Sequence, residues 1–184
     1  MNRSSMCIER QIAEILASRE FSQIRDERLA PSAVLLLLFE KEGECNVLFT
    51  RRSEKVAYHK GEISFPGGTT DPDDSDLLHT ALREGAEEIG LDQRDVRILG
   101  RLDDIFTLTT GFVITPYVGI IPYPYKFEIN TDEISELIFL PLRAIAEECR
   151  VEDSGVTQFH LQDHIIWGAT ARILKQFLDL TYRQ

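Results

Sequence analysis

The chain has 184 residues, 43% of them hydrophobic, enough to bury a full core in one domain without disulfides or a structural metal. Its formal net charge of −11 argues against nucleic acid or an anionic membrane as the main partner, so an anionic ligand would need locally arranged positive charge. Three cysteines, Cys7, Cys45 and Cys149, share no close spacing; they indicate neither a disulfide framework nor a zinc site and fit a reducing, cytoplasmic setting.

Acids at Glu9, Glu14 and Glu20 argue against a signal peptide at the N-terminus. Ile8, Ile12, Ile15 and Leu16 recur at helical spacing and predict an amphipathic helix that ends before Pro31, its apolar stripe packing on a core. Ala33 to Phe39 reads as a strand buried on both faces and Asn46 to Arg51 as its hairpin partner across the polar turn Glu40 to Glu44. Val34 to Phe39 is too short to span a bilayer. Further strands are expected at Val96 to Phe106, Ile114 to Ile121 and Glu136 to Leu140, with Pro122 and Pro124 breaking the pattern between the last two. A short helix at Pro141 to Glu148, a small hairpin from Thr157 to Leu161 and His164 to Trp167, and a closing helix from Ala169 to Leu180 complete the chain. The economical architecture is α/β, in the α+β sense: a mixed sheet between helices.

The most informative stretch is a helix with Ser75 as candidate N-cap and Gly90 as C′ residue. At about 100° per residue its Glu84, Glu87 and Glu88 fall on one side and Leu78, Leu82, Ala86 and Ile89 on the other. A solvated acidic face usually interleaves Lys or Arg, whereas acids at i, i+3 and i+4 repel by a few tenths of a kcal/mol per pair, roughly. A bound cation would reverse that cost. Oxygen-only ligands suit Mg²⁺ or Mn²⁺. Just upstream, Ser64-Phe65-Pro66-Gly67-Gly68 ends a strand, and two adjacent glycines let backbone approach a ligand closely. The basic residues Arg51, Arg52, Lys55 and Lys60 would relieve an anionic substrate, although Lys55 reads equally well as exposed loop. His160 and His164 read as structural or surface residues, His79 lies away from Glu84, and His59 and the Asp103-Asp104 pair are weaker candidates.

Arg83 to Leu91 resembles the second half of the Nudix hydrolase box, Arg-Glu-aliphatic-x-Glu-Glu-x-Gly-aliphatic, except that Gly85 stands at the first aliphatic position. The first half departs from the general box. One extra residue lies between Gly68 and Arg83, and the box glutamate is missing, with Asp74 or Ser75 nearest its place. That variant is similar to the coenzyme A pyrophosphatase branch. So are Leu48 to Ser53 followed by Gly61 and Phe65 to Gly68, and the later segments Val113 to Gly119 and Ile166 to Ala171. Ala57 is a departure, standing where the branch signature carries an arginine four residues before Gly61.

The resemblance implies a helical segment over 1–30 packed on a single Nudix domain over 31–184, and a diphosphatase that uses Mg²⁺ or Mn²⁺. Glu84, Glu87, Glu88 and Gly68 are the metal candidates; Glu84, Glu87 and Glu133 are the catalytic ones, with Glu136 second to Glu133 as the distal base. Arg51, Arg52, Lys60, Phe65, Gly67 and Gly68 are the substrate candidates. Coenzyme A or its thioesters is the leading substrate. Another nucleoside diphosphate derivative, such as ADP-ribose or a dinucleoside polyphosphate, is the alternative, and a non-catalytic ligand-binding regulator a third. The expected partner is a small nucleotide-type molecule, not nucleic acid or membrane, with a homodimer left open.

Overall fold

One long strand, β1 (Ala30–Lys41), organises the fold of this computed structural model, which describes residues 3–56, 59–107, 110–151 and 157–182. Its apolar run is explained by burial on both faces. Leu36 and Leu38 face a core shared with Ile12 and Leu16 of helix α1 (Arg3–Ala17), Leu142 and Ile145 of α3 (Leu142–Glu147), and Ile173, Leu174, Phe177 and Leu178 of α4 (Gly168–Thr181). Leu35, Leu37 and Phe39 face a second core with Ala81 and Ile89 of α2 (Leu77–Ile89). The expected sheet between helices is therefore present. Among the described residues no helix is long and apolar enough to cross a membrane.

β1 pairs antiparallel with β2 (Glu44–Arg52) and, on its other edge, parallel with β7 (Phe112–Ile120). The hairpin with β2 holds only from Lys41↔Glu44 to Leu37↔Leu48. Beyond that point the two strands diverge, and the segment Ile63 to Thr69 fills the fork. Its β3 (Ile63–Ser64) pairs with β2 at Thr50↔Ser64, and its β4 (Gly67–Thr69) pairs with β1 at Val34↔Gly67. The Leu35 N–H donates to Pro66 O between them at 2.8 Å. β5 (Arg97–Arg101) and β6 (Ile105–Phe106) continue the sheet beyond β7, and β8 (Ile134–Pro141) flanks β2. A small antiparallel sheet of β9 (Cys149–Val151), β10 (Thr157–Leu161) and β11 (His164–Ile166) includes the anticipated hairpin.

Two expectations need correction. The single strand from Val96 to Phe106 is two strands, because Asp103 and Asp104 leave the ladder to hold the segment after α1. Asp103 accepts from Arg19 and from the Ser22 N–H, and Asp104 accepts from the Ile24 N–H, Arg101 and Thr115. The N-cap of α2 is Asp76, not Ser75: the Asp76 carboxylate accepts the His79 N–H at 2.8 Å. Gly90 does close the helix, at φ 68°, in the left-handed conformation.

The fork sets a steric demand at Gly67, where φ is 148° and an added Cβ would lie 2.3 Å from Ala33 O and 2.6 Å from Val34 Cα. Backbone of a central strand cannot yield, so Gly67→Ala should cost about 3 kcal/mol in chemical denaturation. Gly43→Ala, at positive φ but with nothing within 4 Å, should cost about 1–2 kcal/mol. Equal losses would mean that the fork is not closed by backbone contact.

Candidate active site

The packed stripe of α2 runs through Ala81, Gly85 and Ile89 and includes Thr80 and Glu88, while Leu82 and Ala86 are only partly buried. The apolar side thus lies about one residue round from the sequence expectation. Gly85 explains its own departure from the aliphatic box position, since a Cβ there would sit 3.2 Å from both Leu35 Cδ1 and Leu91 Cδ2. The helix rests close against β1, and that closeness carries Glu88 into the interior.

Glu88 is 2% exposed. One carboxylate oxygen accepts the Gly67 N–H at 3.2 Å, and the other lies 3.8 Å from the Arg52 guanidinium. Burial pushes its pKa up to about 8; the Gly67 N–H and Arg52 pull it down, and Glu84 and Glu133 add repulsion. The side chain of Glu84 is 15% exposed and lies directly over Gly68, where a Cβ would be 2.5 Å from its carboxyl carbon. Burial also raises the Glu84 pKa, with Arg83 opposing and Glu87 and Glu133 adding to the rise. Glu87 is the outermost of the three, its side chain 54% exposed.

Arg83 supplies the local countercharge, donating to Glu84 at 2.9 Å and to Glu87 at 3.2 Å. It is itself held by a two-pronged contact to Asp74, 3.0 Å on each oxygen, and by donation to Thr69 O. Asp74 also accepts from the Asp71 N–H and from Thr80, His79 Nδ1 lies 3.1 Å away while accepting the Ser75 N–H, and Arg83 holds the Asp74 carboxyl well below the usual carboxylate range. The acid nearest the missing box glutamate is thus the anchor of the arginine. Sequence spacing gave no sign of that role.

The candidates of the basic segment separate. Arg52 faces Glu88, and its enclosed Nε has no acceptor among the described residues. Arg51 is engaged with Glu136 at 2.8 Å, with Gly61 O and with His164 Nδ1 at 2.9 Å. Lys55 pairs with Asp132, His59 with Glu62, and Lys60 is exposed. Phe65 is 2% exposed and stacked on Phe49 at 5.0 Å, so it belongs to the core and offers a substrate no surface. Ala57 lies outside the described residues. Glu133 is close enough to Glu84 and Glu88 to disfavour ionisation of both, whereas Glu136 points to Arg51. Burial pushes the Cys45 thiol up to about 11, which makes it a poor nucleophile near neutrality.

An all-oxygen donor set around Gly67-Gly68, with one carboxylate seated where any side chain at position 68 would collide, fits a hard divalent cation. Among the described residues no three carboxylate, histidine or cysteine side chains stand close enough together to enclose an ion as they are placed. Arg83 takes up two of the carboxylates instead.

The sequence profile of the NUDIX domain matches residues 29–158. An uncharacterized Nudix hydrolase, NudL, of Yersinia enterocolitica is 35% identical over 153 residues, 78% of each chain. NudL of Photorhabdus laumondii is 33% identical over 154 residues, 79% of this chain and 81% of that protein. Among solved structures, the fold is similar to the Nudix hydrolase RenU from M. smegmatis, at a TM-score of 0.60 and 14% identity over 84% of this chain and 86% of that one. It also resembles the NUDIX domain of Shewanella oneidensis NrtR complexed with ADP ribose, at a TM-score of 0.53 and 20% identity over 73% and 86%.

The position of Glu88 has a pH signature in the metal-free protein. Its folded pKa, about 8, lies above the ordinary value of 4.5, so its contribution to stability is full below about pH 4.5 and is lost as pH rises through 8. Metal-free Glu88→Gln should therefore melt higher than wild type at pH 8, and the gap should close towards pH 5. Parallel melting curves across that range would show that Glu88 is not a buried acid.

Proposed function

The chain belongs to the Nudix family, and on that premise we propose that it is a divalent-cation-dependent diphosphatase whose substrate is coenzyme A or an acyl-coenzyme A, cut into a phosphopantetheine species and adenosine 3′,5′-bisphosphate. The observation that carries this reading is the buried carboxylate of Glu88 held beside Glu84 against Gly67-Gly68. Glu84, Glu87, Glu88 and the Gly68 backbone are the groups that would hold Mg²⁺ or Mn²⁺. When bound, such an ion neutralises phosphoryl oxygens and lowers the pKa of coordinated water.

The remaining work falls to the protein's own side chains. Pyrophosphate hydrolysis needs little covalent help; it needs charge neutralisation and a water held in line. The partly exposed guanidinium of Arg52 and the exposed Lys60 bind phosphate oxygens in this account, and Arg51 supports the turn at Gly61. Glu133 accepts the proton of the attacking water, a role its proximity to Glu84 and Glu88 supports over Glu136. Glu87 would ligate a second ion or take that proton in place of Glu133.

Glu88→Gln should abolish most hydrolysis and leave the protein folded, and it should lose the Mn²⁺-induced rise in melting temperature seen in wild type. An equal rise in both would place the ion elsewhere.

Ala57 favours keeping a second reading, hydrolysis of ADP-ribose or a dinucleoside polyphosphate. If an arginine at that position meets a phosphate of coenzyme A, its absence removes a charge-assisted contact of about 1.5–3 kcal/mol, one to two decades in affinity. Coenzyme A should then be cleaved with a raised KM, and Ala57→Arg should lower KM more for coenzyme A than for its 3′-dephospho form. A mass-spectrometric screen of both, with ADP-ribose and diadenosine polyphosphates, in Mg²⁺ and with a chelator control, decides the matter. Cleavage of ADP-ribose or a dinucleotide far ahead of every coenzyme A species would overturn the substrate assignment. Tight coenzyme A binding with no product over hours would favour a regulator.

A further inference from the structure

We propose that Asn130 is the positioning residue for Glu133, fixing the orientation of its carboxylate relative to the acidic helix; this rests on the diphosphatase reading and on Glu133 as its base. The segment from Glu128 to Ile134 returns across the C-terminal turn of α2. There the Glu128 N–H donates to Ile89 O at 3.0 Å and the Asn130 N–H to Glu88 O at 2.9 Å, satisfying carbonyls that a helix end leaves without intrahelical partners. Asn130 is thereby tied to the residue that carries the buried carboxylate.

From that anchor Asn130 reaches Glu133 twice. Its carbonyl accepts the Glu133 N–H at 3.1 Å and the Ile134 N–H at 2.8 Å. Its side-chain amide accepts the Asp132 N–H on the oxygen at 3.2 Å and donates from the nitrogen to Glu133 Oε1 at 3.1 Å. The Glu133 carbonyl accepts the Ser53 N–H at 2.7 Å, so its main chain is held on both sides. The glutamate side chain has three rotatable bonds, and among the described residues Asn130 Nδ2 is the hydrogen-bond donor that fixes its end. A general base acts only within hydrogen-bond reach of the proton it takes, so a carboxylate free to swing spends little time in the productive pose.

The two functions of the Asn130 amide separate in one variant. Asn130→Asp keeps the acceptor for the Asp132 N–H, and with it the turn, but removes the donor to Glu133 and sets a like charge beside it. Using the best substrate of the screen with Mg²⁺, kcat should fall about tenfold or more, part of the 10²–10⁴ that a positioned base contributes. KM, Mn²⁺ affinity and melting temperature should stay near wild type. In a Glu133→Gln background the same change should cost nothing further, because the group it orients is gone. Wild-type kcat in Asn130→Asp, or an undiminished loss on top of Glu133→Gln, would overturn the inference. If Glu133→Gln alone keeps full turnover, the base assignment fails and the inference with it, while a dead Glu88→Gln leaves the diphosphatase reading standing. No turnover by wild type on any substrate would sink that reading and this one together.

Discussion

Burying one carboxylate, Glu88, in the packed stripe of α2 is the constraint around which this part of the molecule is arranged. An ionised group taken out of water costs several kcal/mol unless it is paired and hydrogen-bonded, by order of magnitude. Among the described residues the partners supplied are a single backbone N–H from Gly67 and a guanidinium at 3.8 Å, and two other glutamates add repulsion. That is an incomplete set for a permanent charge. It is the condition in which a carboxylate is poised to gain a cation, and Arg83, already neutralising Glu84 and Glu87, shows how strongly the same face attracts one.

The divergence of β1 and β2 makes the burial geometrically attainable. Had the hairpin stayed paired to its open end, no edge would be free for β3 and β4, and the Gly67 N–H would have no route to the helix. The fork instead admits a short segment in which only glycine fits at 67, against strand backbone, and in which a side chain at 68 would displace the Glu84 carboxylate. Gly85 completes the fit from the helix side by letting α2 approach Leu35. Three glycines, from two elements, thus set the spacing between sheet, turn and acidic face.

Much of this was legible in the sequence because it is periodic or local. The uninterrupted apolar run of β1 announces burial on both faces; the i, i+3, i+4 acids announce a charged stripe, which holds for Glu84 and Glu87, whereas Glu88 turns into the packed side. Gly90 marks its own helix end. What escaped is long-range or competitive. Whether Ser75 or Asp76 caps α2 depends on where the chain turns, and the split of the strand after Val96 depends on Asp103 and Asp104 meeting the segment at Arg19 to Ile24. Phe65 lies in the signature of a binding loop, yet faces inward because alternation along the segment sends it to Phe49. The anchoring of Arg83 by Asp74 spans nine positions and joins the loop before the N-cap to the second turn of α2, a separation that no helical or strand period marks. Asn130 had a faint local mark, an Asn three residues before an acid, as at the start of an Asx turn.

Whether Glu84 and Glu88, drawn against Gly67-Gly68, form the proposed divalent cation site is decided by locating Mn²⁺ through its anomalous scattering in crystals of the protein. The account predicts a peak coordinated by the carboxylates of Glu84 and Glu88 beside the Gly68 backbone, with Arg83 turned away from Glu84. A peak elsewhere on the protein, or none at saturating Mn²⁺ with Arg83 still on Glu84, would contradict it.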